Sequence, residues 1–316
     1  MSLADHVRTL GRGPGRSRSL NRSEATDAMQ LMLSGTAAAE ATGALLMLLR
    51  MKGETAEEIA GFAAAAQATL PPLPHVDLDW PSYAAGRTRG TPWFLLSAKL
   101  VAQAGHRVLL HGWNGPDRKV RDGLALAGIP IAESTDMAAQ LLDTQCIAYL
   151  PLEAWHPALF NLLNLREVLG LRSCINTVCR MLNPGASKAS VQGVFHPSYR
   201  LLQADAAALL GWQSLTVIKG GGGEFERHPA KAIAAFGLRE GEIWDSAFHA
   251  LRPETRRLTT QGGTVHLPQT ALSHPDPFET DVIVGTAALA LDTLGASDAA
   301  AQAHALWDAY RPASAA

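Results

Sequence analysis

The sequence predicts an α/β protein in which a small helical domain precedes an α/β domain with a largely parallel central sheet. Residues 23–70 contain Ala- and Leu-rich stretches separated by helix start and stop signals. From residue 73 onward, short β-type runs alternate with helical stretches, a pattern typical of parallel sheets. The 316 residues are 47% hydrophobic and 18% charged, which supplies a core for one large or two modest domains and excludes a mostly disordered chain.

Three helices are predicted in the first segment. Ser23 is placed to cap the first helix, and the second covers Thr36–Met51. The Thr55–Glu58 capping box opens the third. The proline-rich run at residues 70–74 then indicates a linker. The predicted domains are residues 1–72 and 73–316.

Strands and helices alternate in the second domain. A helix is predicted over 93–104, and Ala-rich helices over roughly 277–295 and 297–310, the last one capped by Ser297. The predicted strands are Arg107–His111, Gln145–Leu150, Ser173–Thr177, Val191–Phe195 and Ser214–Lys219.

Several classes of protein are disfavoured by simple features. The leucine-rich stretch Ala44–Leu49 is followed by Arg50 and Lys52, well short of the roughly 18–20 apolar residues that a membrane span requires. The N-terminus has no basic start followed by an apolar signal segment, so we expect a cytoplasmic protein. The three cysteines form no CxxC pair, and we expect them in the core rather than in a disulfide or a thiolate metal site.

Basic residues are concentrated in three segments although the net charge is −2. Residues 1–23 carry five arginines and one aspartate, residues 86–121 seven basic and one acidic residue, and residues 166–200 five basic and one acidic residue. If the segments meet in space, they form a cationic surface that attracts phosphates. The alternative is that the arginines are dispersed and pair with nearby carboxylates.

A glycine-rich loop, Lys219–Glu226, directly follows a predicted strand. Four consecutive glycines would let backbone amides approach a phosphate closely. Pro229 follows soon after and no helix is predicted at Gly223, so the context of a P-loop is missing and a plain tight loop is the commoner explanation. Glu224 and Glu226 could hold Mg²⁺ through their carboxylates, or could simply be solvated.

Aromatic and basic residues are interleaved at the start of the α/β region. Trp80 and Tyr83 precede Arg87 and Arg89, a combination suited to stacking bases and neutralising phosphates of single strands. Packing of the two aromatic rings against the following helix is the alternative, and it is the preferred one for Trp80.

Three histidines stand near the ends of predicted strands, where sites collect in α/β proteins. Their spacing matches no zinc motif, so we expect hydrogen-bonded structural roles. They are His111, His156 and His196.

A series of motifs resembles the anthranilate phosphoribosyltransferase (TrpD) family. They are Ser34–Thr36, Gly53–Thr55, Leu110–Gly112, Trp155–Ala158, Arg166–Arg172, Asn176 and Leu182–Pro184. The resemblance covers nearly the whole chain. It implies a phosphoribosyltransferase-like fold and a homodimer formed through the helical part, which segment 161–184 would join.

The signatures by which those enzymes bind phosphoribosyl pyrophosphate are mostly absent. Asp79–Gly86 stands where the enzymes have a GTGGD loop, and Leu110–Trp113 where they have KHGN. Of the magnesium-holding Asp-Glu pair, only Glu226 is matched. Arg166 matches the arginine that contacts the aromatic acid.

The departures resemble the YbiB-type branch of the family. The shared features are Gly11–Gly13, Pro81–Tyr83 with Arg87, and Ser198–Tyr199. Resemblance to this branch implies a dimer that binds DNA without sequence preference through a positively charged groove.

Two functions are therefore expected. The preferred one is sequence-independent nucleic-acid binding by a homodimer on a degenerate phosphoribosyltransferase scaffold, without a cofactor. The alternative is a pentosyltransferase with altered phosphate recognition, with phosphoribosyl pyrophosphate as donor and Mg²⁺ at Glu226. No catalytic residue is assigned. The predicted nucleic-acid contacts are Arg8, Arg12, Arg16, Arg18, Arg22, Arg87, Arg89, Arg118, Lys119 and Arg121. The predicted residual pocket is Tyr83, His111, His156, Arg166, Gly220, Gly221, Gly222 and Gly223.

Overall fold

A computed structural model describes residues 2–71, 73, 75–84, 90–254, 256, 266 and 268–310. The chain begins with a group of helices, as predicted. They are α1 (Leu3–Gly11), α2 (Arg22–Leu33), α3 (Ala39–Lys52) and α4 (Ala56–Gln67). Helix α1 was not predicted.

Capping residues fix where these helices begin. The predicted cap of α2 at Ser23 is wrong, since Asn21 accepts a hydrogen bond from the Glu24 amide and the Glu24 carboxylate accepts one from the Asn21 amide. This reciprocal pair satisfies two amides that the helix leaves without partners. The capping box of Thr55 and Glu58 at the start of α4 is confirmed.

The second part alternates strands with helices around one seven-stranded sheet in the order β3-β2-β1-β4-β5-β6-β7. Strands β1 to β5 are parallel, and β6 and β7 are antiparallel, which confirms a largely parallel sheet. The strands are β1 (Leu78–Ser82), β2 (Val108–Gly112), β3 (Ile147–Pro151), β4 (Ala189–Val194), β5 (Ser214–Lys219), β6 (Ile233–Arg239) and β7 (Glu242–Phe248). The helices are α5 (Phe94–Gln103), α6 (Lys119–Leu126), α7 (Thr135–Gln145), α8 (Leu152–Trp155), α9 (Pro157–Leu169), α10 (Ile175–Arg180), α11 (Tyr199–Leu209), α12 (Pro277–Thr293) and α13 (Ala299–Ala309).

The strand predicted over Ser173–Thr177 is wrong, because this segment enters the short helix α10. Its apolar side chains Cys174 and Ile175 are buried against the helical part, where α10 contacts α4. A short apolar run does not by itself distinguish a buried strand from a buried helix. The Ser297 cap is also wrong, since Asp298 occupies the N-cap of α13 without a side-chain hydrogen bond.

Two apolar clusters form the core. One joins the four N-terminal helices to one face of the sheet, and the other lies between the opposite face and helices α5 and α12. Trp80 is fully buried and its ring lies 6.4 Å from that of Phe94, so the packing role preferred for it is observed. Gly61 lets α4 approach α2 closely, because a Cβ there would lie 2.4 Å from the Arg22 carbonyl oxygen. No helix in the described ranges is long and apolar enough to cross a membrane.

Candidate anion-binding site

The carboxyl ends of the parallel strands meet at one edge of the sheet, where ligands bind in open α/β folds. Four segments reach this edge: the residues after β1, the residues after β2, Phe195 after β4, and the glycine loop 220–223 after β5. Helix α10 and the end of α3 border the same edge. The site therefore combines both parts of the chain.

Glu224 lies at the centre of this edge and is almost completely buried. Its Oε1 atom accepts hydrogen bonds from Ser82 Oγ at 3.0 Å, from the Ala84 amide at 3.1 Å and from Asn114 Nδ2 at 3.1 Å. Three donors from two different loops thus converge on a single carboxylate oxygen. Such an arrangement stabilises the ionised form.

Glu226 is also buried, two residues further along the loop. Its Oε2 atom accepts a hydrogen bond of 3.1 Å from the amide of Phe94, the first residue of α5. Free amides and the helix dipole at such an N-terminus favour a negative charge. Neither glutamate is a solvated loop residue, so that interpretation of the sequence is wrong.

Glycines allow the segment that carries Glu224 and Glu226 to pack closely against β4 and against the start of its own loop. A Cβ on Gly220 would lie 1.6 Å from the Glu224 carbonyl oxygen, and one on Gly193 would lie 2.0 Å from the Glu224 carbonyl carbon. Gly223 has a φ of +90°, which a residue with a side chain adopts only with strain. Gly221–Gly223 form a single 3₁₀ turn. No α-helix begins at Gly223, which agrees with the prediction from the sequence.

A cavity of about 500 Å³ opens beside this loop. It lies between α3, α10, α11 and the end of β4. Three arginines line it, and among the described lining residues Glu54 is the only carboxylate. Its lining includes Arg50, Glu54, Arg172, Asn176, Arg180, Phe195, His196, Tyr199 and Gly222.

The positively charged side chains in and beside the cavity repel one another. Burial lowers the pKa of Arg172, and the nearby guanidinium groups of Arg166 and Arg50 lower it further. Arg50 Nη1 donates a hydrogen bond of 2.7 Å to the Arg172 carbonyl oxygen, which fixes the two residues side by side. A bound anion would relieve this repulsion.

Arg180 connects the cavity with the buried carboxylates. Its Nε donates to the Gly193 carbonyl at 3.2 Å and its Nη1 to the Asn176 carbonyl at 3.0 Å. Burial lowers the pKa of Arg180, and the charge of Glu224 acts in the opposite direction. The charges of Arg180 and Glu224 therefore attract each other within the buried part of the site.

Tyr83 and His111, predicted for a residual pocket, do come together, but inside the protein. Tyr83 Oη lies 2.9 Å from His111 Nδ1, and His111 Nε2 lies 3.1 Å from Asp79 Oδ1. All three residues are buried, and burial raises the pKa of Tyr83. Neither predicted residue lines the arginine cavity.

His156 and Arg166, from the same prediction, also lie outside the lining of the cavity. His156 caps α9 by accepting a hydrogen bond from the Leu159 amide, and its other ring nitrogen lies 3.0 Å from Thr69 Oγ1. Burial lowers the pKa of His156. The Arg166 guanidinium lies 5.7 Å from the Trp113 ring, and its Nε donates to Glu167.

The predicted cationic surface is partly neutralised at the N-terminus, where two of the five arginines pair with carboxylates. Arg8 pairs with Asp5, and Arg18 donates two hydrogen bonds of 2.6 Å to Glu24. The Arg18 guanidinium holds the pKa of Glu24 at about 2. Arg22 donates to the Leu209 carbonyl. Arg12 and Arg16 are exposed, and within the described part of the chain neither forms an ion pair.

The second basic segment is paired in the same way. Arg121 contacts Glu153 at 2.6 Å and lies over the Tyr149 ring, while buried Lys119 lies 3.6 Å from Asp117. Arg118 lies 3.7 Å from Asp122. Arg87 and Arg89 lie outside the described residues. Pairing with nearby carboxylates, the second explanation of the basic segments, thus accounts for five of the eight described residues that were predicted to contact nucleic acid.

Sequence reasoning missed most of the residues that form this site. Arg172 and Arg180 were counted in the third basic segment but were not assigned to a site. Asn114 directly follows Leu110–Trp113, and no role was predicted for it. Arg50 belongs to a predicted helix, and nothing in its local sequence connects it with residues about 120 positions away.

The residues at this edge do not fit a magnesium site built from a carboxylate pair. Glu224 Oε1 is already the acceptor of three hydrogen bonds, and Glu226 Oε2 faces the α5 amide. Across the described ranges, no three His, Cys, Asp or Glu residues are grouped to hold a metal ion. We therefore assign no step to a metal ion.

Two family models match the two parts of this architecture, the helical bundle and the largely parallel sheet with its helices. Residues 4–69 match the family model "Glycosyl transferase family, helical bundle domain", and residues 94–304 match "Glycosyl transferase family, a/b domain". The chain belongs to this family.

Relatives and solved structures agree. The anthranilate phosphoribosyltransferase of Parasynechococcus marenigrum is 31% identical over 310 residues, covering 91% of this chain and 88% of that protein. That of Caldivirga maquilingensis is 32% identical over 210 residues, covering 64% of this chain and only 61% of the relative. The Thermus thermophilus enzyme superposes with a TM-score of 0.74 at 22% identity over 97% of this chain and 98% of that one. The Saccharomyces cerevisiae enzyme in complex with PRPP and Mg superposes with the same TM-score at 18% identity, over 96% and 92% of the two chains.

Proposed function

We propose that this chain is a pentosyltransferase with altered phosphate recognition, in which arginine side chains hold the phosphates of a phosphoribosyl pyrophosphate-like donor. The observation that carries the proposal is the arginine-lined cavity at the carboxyl edge of the sheet. Family membership and the names of the relatives supply the reaction class. The preferred expectation from the sequence was nucleic-acid binding, and the relatives favour the transferase instead.

The chemistry of such a reaction suits this cavity. The bond between the pentose C1 atom and pyrophosphate breaks, and pyrophosphate leaves with the electron pair. The acceptor forms a bond to C1 with its own electron pair and releases its proton to solvent. Arg50 and Arg172 would bind the departing phosphates and stabilise their negative charge. Asn176 and the hydroxyl group of Tyr199 would bind the sugar hydroxyls.

Titration calorimetry with phosphoribosyl pyrophosphate tests the proposal. We expect binding without added metal, and we expect R172M to weaken it about 10- to 100-fold, since a hydrogen bond to a charged group contributes about 1.5–3 kcal/mol. R107M is the matched control, because Arg107 precedes β2 at the opposite edge of the sheet and pairs with Asp143. Equal affinity of wild type and R172M, or no binding at all, would refute the proposal.

Nucleic-acid binding remains a second candidate because of one exposed aromatic ring. Phe195 is 61% exposed, packs edge-on against His196 and lines the arginine cavity. Such a ring can stack a base while arginines bind the backbone. Arg12 and Arg16 would add phosphate contacts. As a family resemblance implied, we propose that the binding form is a homodimer, which light scattering would measure.

Fluorescence anisotropy with a labelled single-stranded oligonucleotide, at low and at physiological salt, tests this candidate. We expect F195A to weaken binding about 10-fold, since stacking contributes about 1–3 kcal/mol per base. The double variants R12E/R16E and R87E/R89E should each reduce the salt slope, by about one for each phosphate that the protein no longer binds. An affinity and a slope unchanged in all three variants would exclude this surface.

A further inference from the structure

Three polar groups at the ends of β1 and β2 form a cradle that suits a phosphate oxygen. Ser82 Oγ, the Ala84 amide and Asn114 Nδ2 all point at one position 3.0–3.1 Å away. Backbone amides that follow the first strands of a parallel sheet commonly bind phosphates. In this protein the position is filled by Glu224 Oε1.

A carboxylate of the protein also occupies the N-terminus of α5. Its first amide, from Phe94, donates to Glu226 Oε2 at 3.1 Å. Glu224 and Glu226 come from one extended segment, so a single loop places two negative charges on two neighbouring donor sets. A carboxylate matches a phosphate both in charge and in its ability to accept several hydrogen bonds.

The loop is held in this position by its backbone. Gly193 and Gly220 allow the Glu224 carbonyl group to lie directly against them, and the Gly221 amide donates to the Glu226 carbonyl at 3.0 Å. The charge of buried Arg180 attracts the Glu224 carboxylate. The carboxylates are therefore fixed parts of the fold, not side chains waiting to turn towards a ligand.

We propose that Glu224 and Glu226 are built-in anions that replace ligand phosphates at the ends of β1 and α5. They determine specificity by exclusion: a phosphorylated ligand is kept out of the cradle and directed to the arginine cavity on the other side of Gly222. Only this destination rests on the proposed function. The exclusion itself depends on the cradle and its carboxylates alone.

The test vacates the cradle in a protein whose arginine cavity is weakened. In the R172M background, we add E224A and follow thermal unfolding against inorganic pyrophosphate without metal. We expect E224A/R172M to have a lower Tm than R172M, and pyrophosphate to raise it saturably by on the order of 5 °C. R172M alone, which reports the binding left in the arginine cavity and any general salt effect of pyrophosphate, should show a smaller rise at every pyrophosphate concentration.

E224S/R172M provides the second measurement in case the alanine variant does not fold. Serine keeps a polar group but is too short to reach the position of Glu224 Oε1, so the cradle is vacated and calorimetry should show tighter pyrophosphate binding to this variant than to R172M. A response to pyrophosphate no greater than that of R172M in either variant overturns the proposal. Magnesium-dependent pyrophosphate binding by wild type that E224Q abolishes also overturns it, because Glu224 would then be a metal ligand.

The two proposals fail separately. If R172M binds phosphoribosyl pyrophosphate as wild type does, the proposed function fails while the cradle experiment still stands. If the vacated cradle ignores pyrophosphate, the exclusion fails while binding in the arginine cavity is unaffected.

Discussion

Two neighbouring regions at the carboxyl edge of the sheet differ in the charge they hold and in how that charge is compensated. Around Glu224, the protein supplies both the carboxylate and its hydrogen-bond donors, and three of these donors bond to one carboxylate oxygen. In the cavity next to it, Arg50 and Arg172 lie side by side, and burial together with the charges of Arg166 and Arg50 lowers the pKa of Arg172. The first region holds an anion of the protein itself, whereas the second concentrates positive charge around an open cavity. This difference indicates that an external anion would bind in the second region, the arginine cavity.

The largest expected effect comes from removing the residue that joins the two regions. R180M removes a buried positive charge that interacts with Glu224 and leaves the carbonyl oxygens of Gly193 and Asn176 without its hydrogen bonds. An unsatisfied buried acceptor costs about 1–3 kcal/mol. We therefore expect a decrease of about 3 kcal/mol in the free energy of unfolding, measured by urea denaturation.

R107M serves as control for this measurement as well. Arg107 pairs with Asp143 at the surface, where such a pair contributes about 1 kcal/mol or less. If R180M and R107M lost equal stability, the matched character of the Glu224 region would be disproved.

A smaller loss in the free energy of unfolding is expected from G220A, which tests the close packing that holds the two glutamates. The added Cβ would lie 1.6 Å from the Glu224 carbonyl oxygen, so the loop has to shift, and such overpacking costs about 1–3 kcal/mol. G43A in helix α3 is the matched control, because its Cβ would meet only Leu169 Cδ2 at 3.6 Å. Since alanine favours a helix over glycine, G43A should be neutral or stabilising by up to about 1 kcal/mol. Urea denaturation of both variants measures the difference.

The sequence predicted the fold better than the site. Alternating strand-like and helical runs, and capping boxes such as Thr55–Glu58, are local signals, and local signals suffice for element type and order. The antiparallel strands β6 and β7 were missed. So was the helical state of residues 175–180, because tertiary contacts with α4 decide how that apolar run folds.

The site depends on contacts between residues far apart in the chain. Ser82 and Glu224 are separated by 142 positions, and Arg50 and Arg172 by 122. A count of charges along the chain could find the basic segments but not their partners. It therefore predicted a cationic surface where Arg18 and Arg121 are in fact paired with Glu24 and Glu153.

The smallest effect concerns the arginine cavity, and its sign is the informative part. Methionine at position 172 removes a charge that is repelled by Arg50 and Arg166 while keeping an apolar stem of similar length. Two charges about 4 Å apart interact by about 1 kcal/mol in water. Relative to wild type, R172M should therefore be more stable at low ionic strength than in about 1 M salt, by about 0.5 kcal/mol, because charges are screened within about 3 Å in 1 M salt. Urea denaturation of both proteins at both salt concentrations measures this difference, and a difference of opposite sign would show that repulsion is not the dominant charge interaction of Arg172.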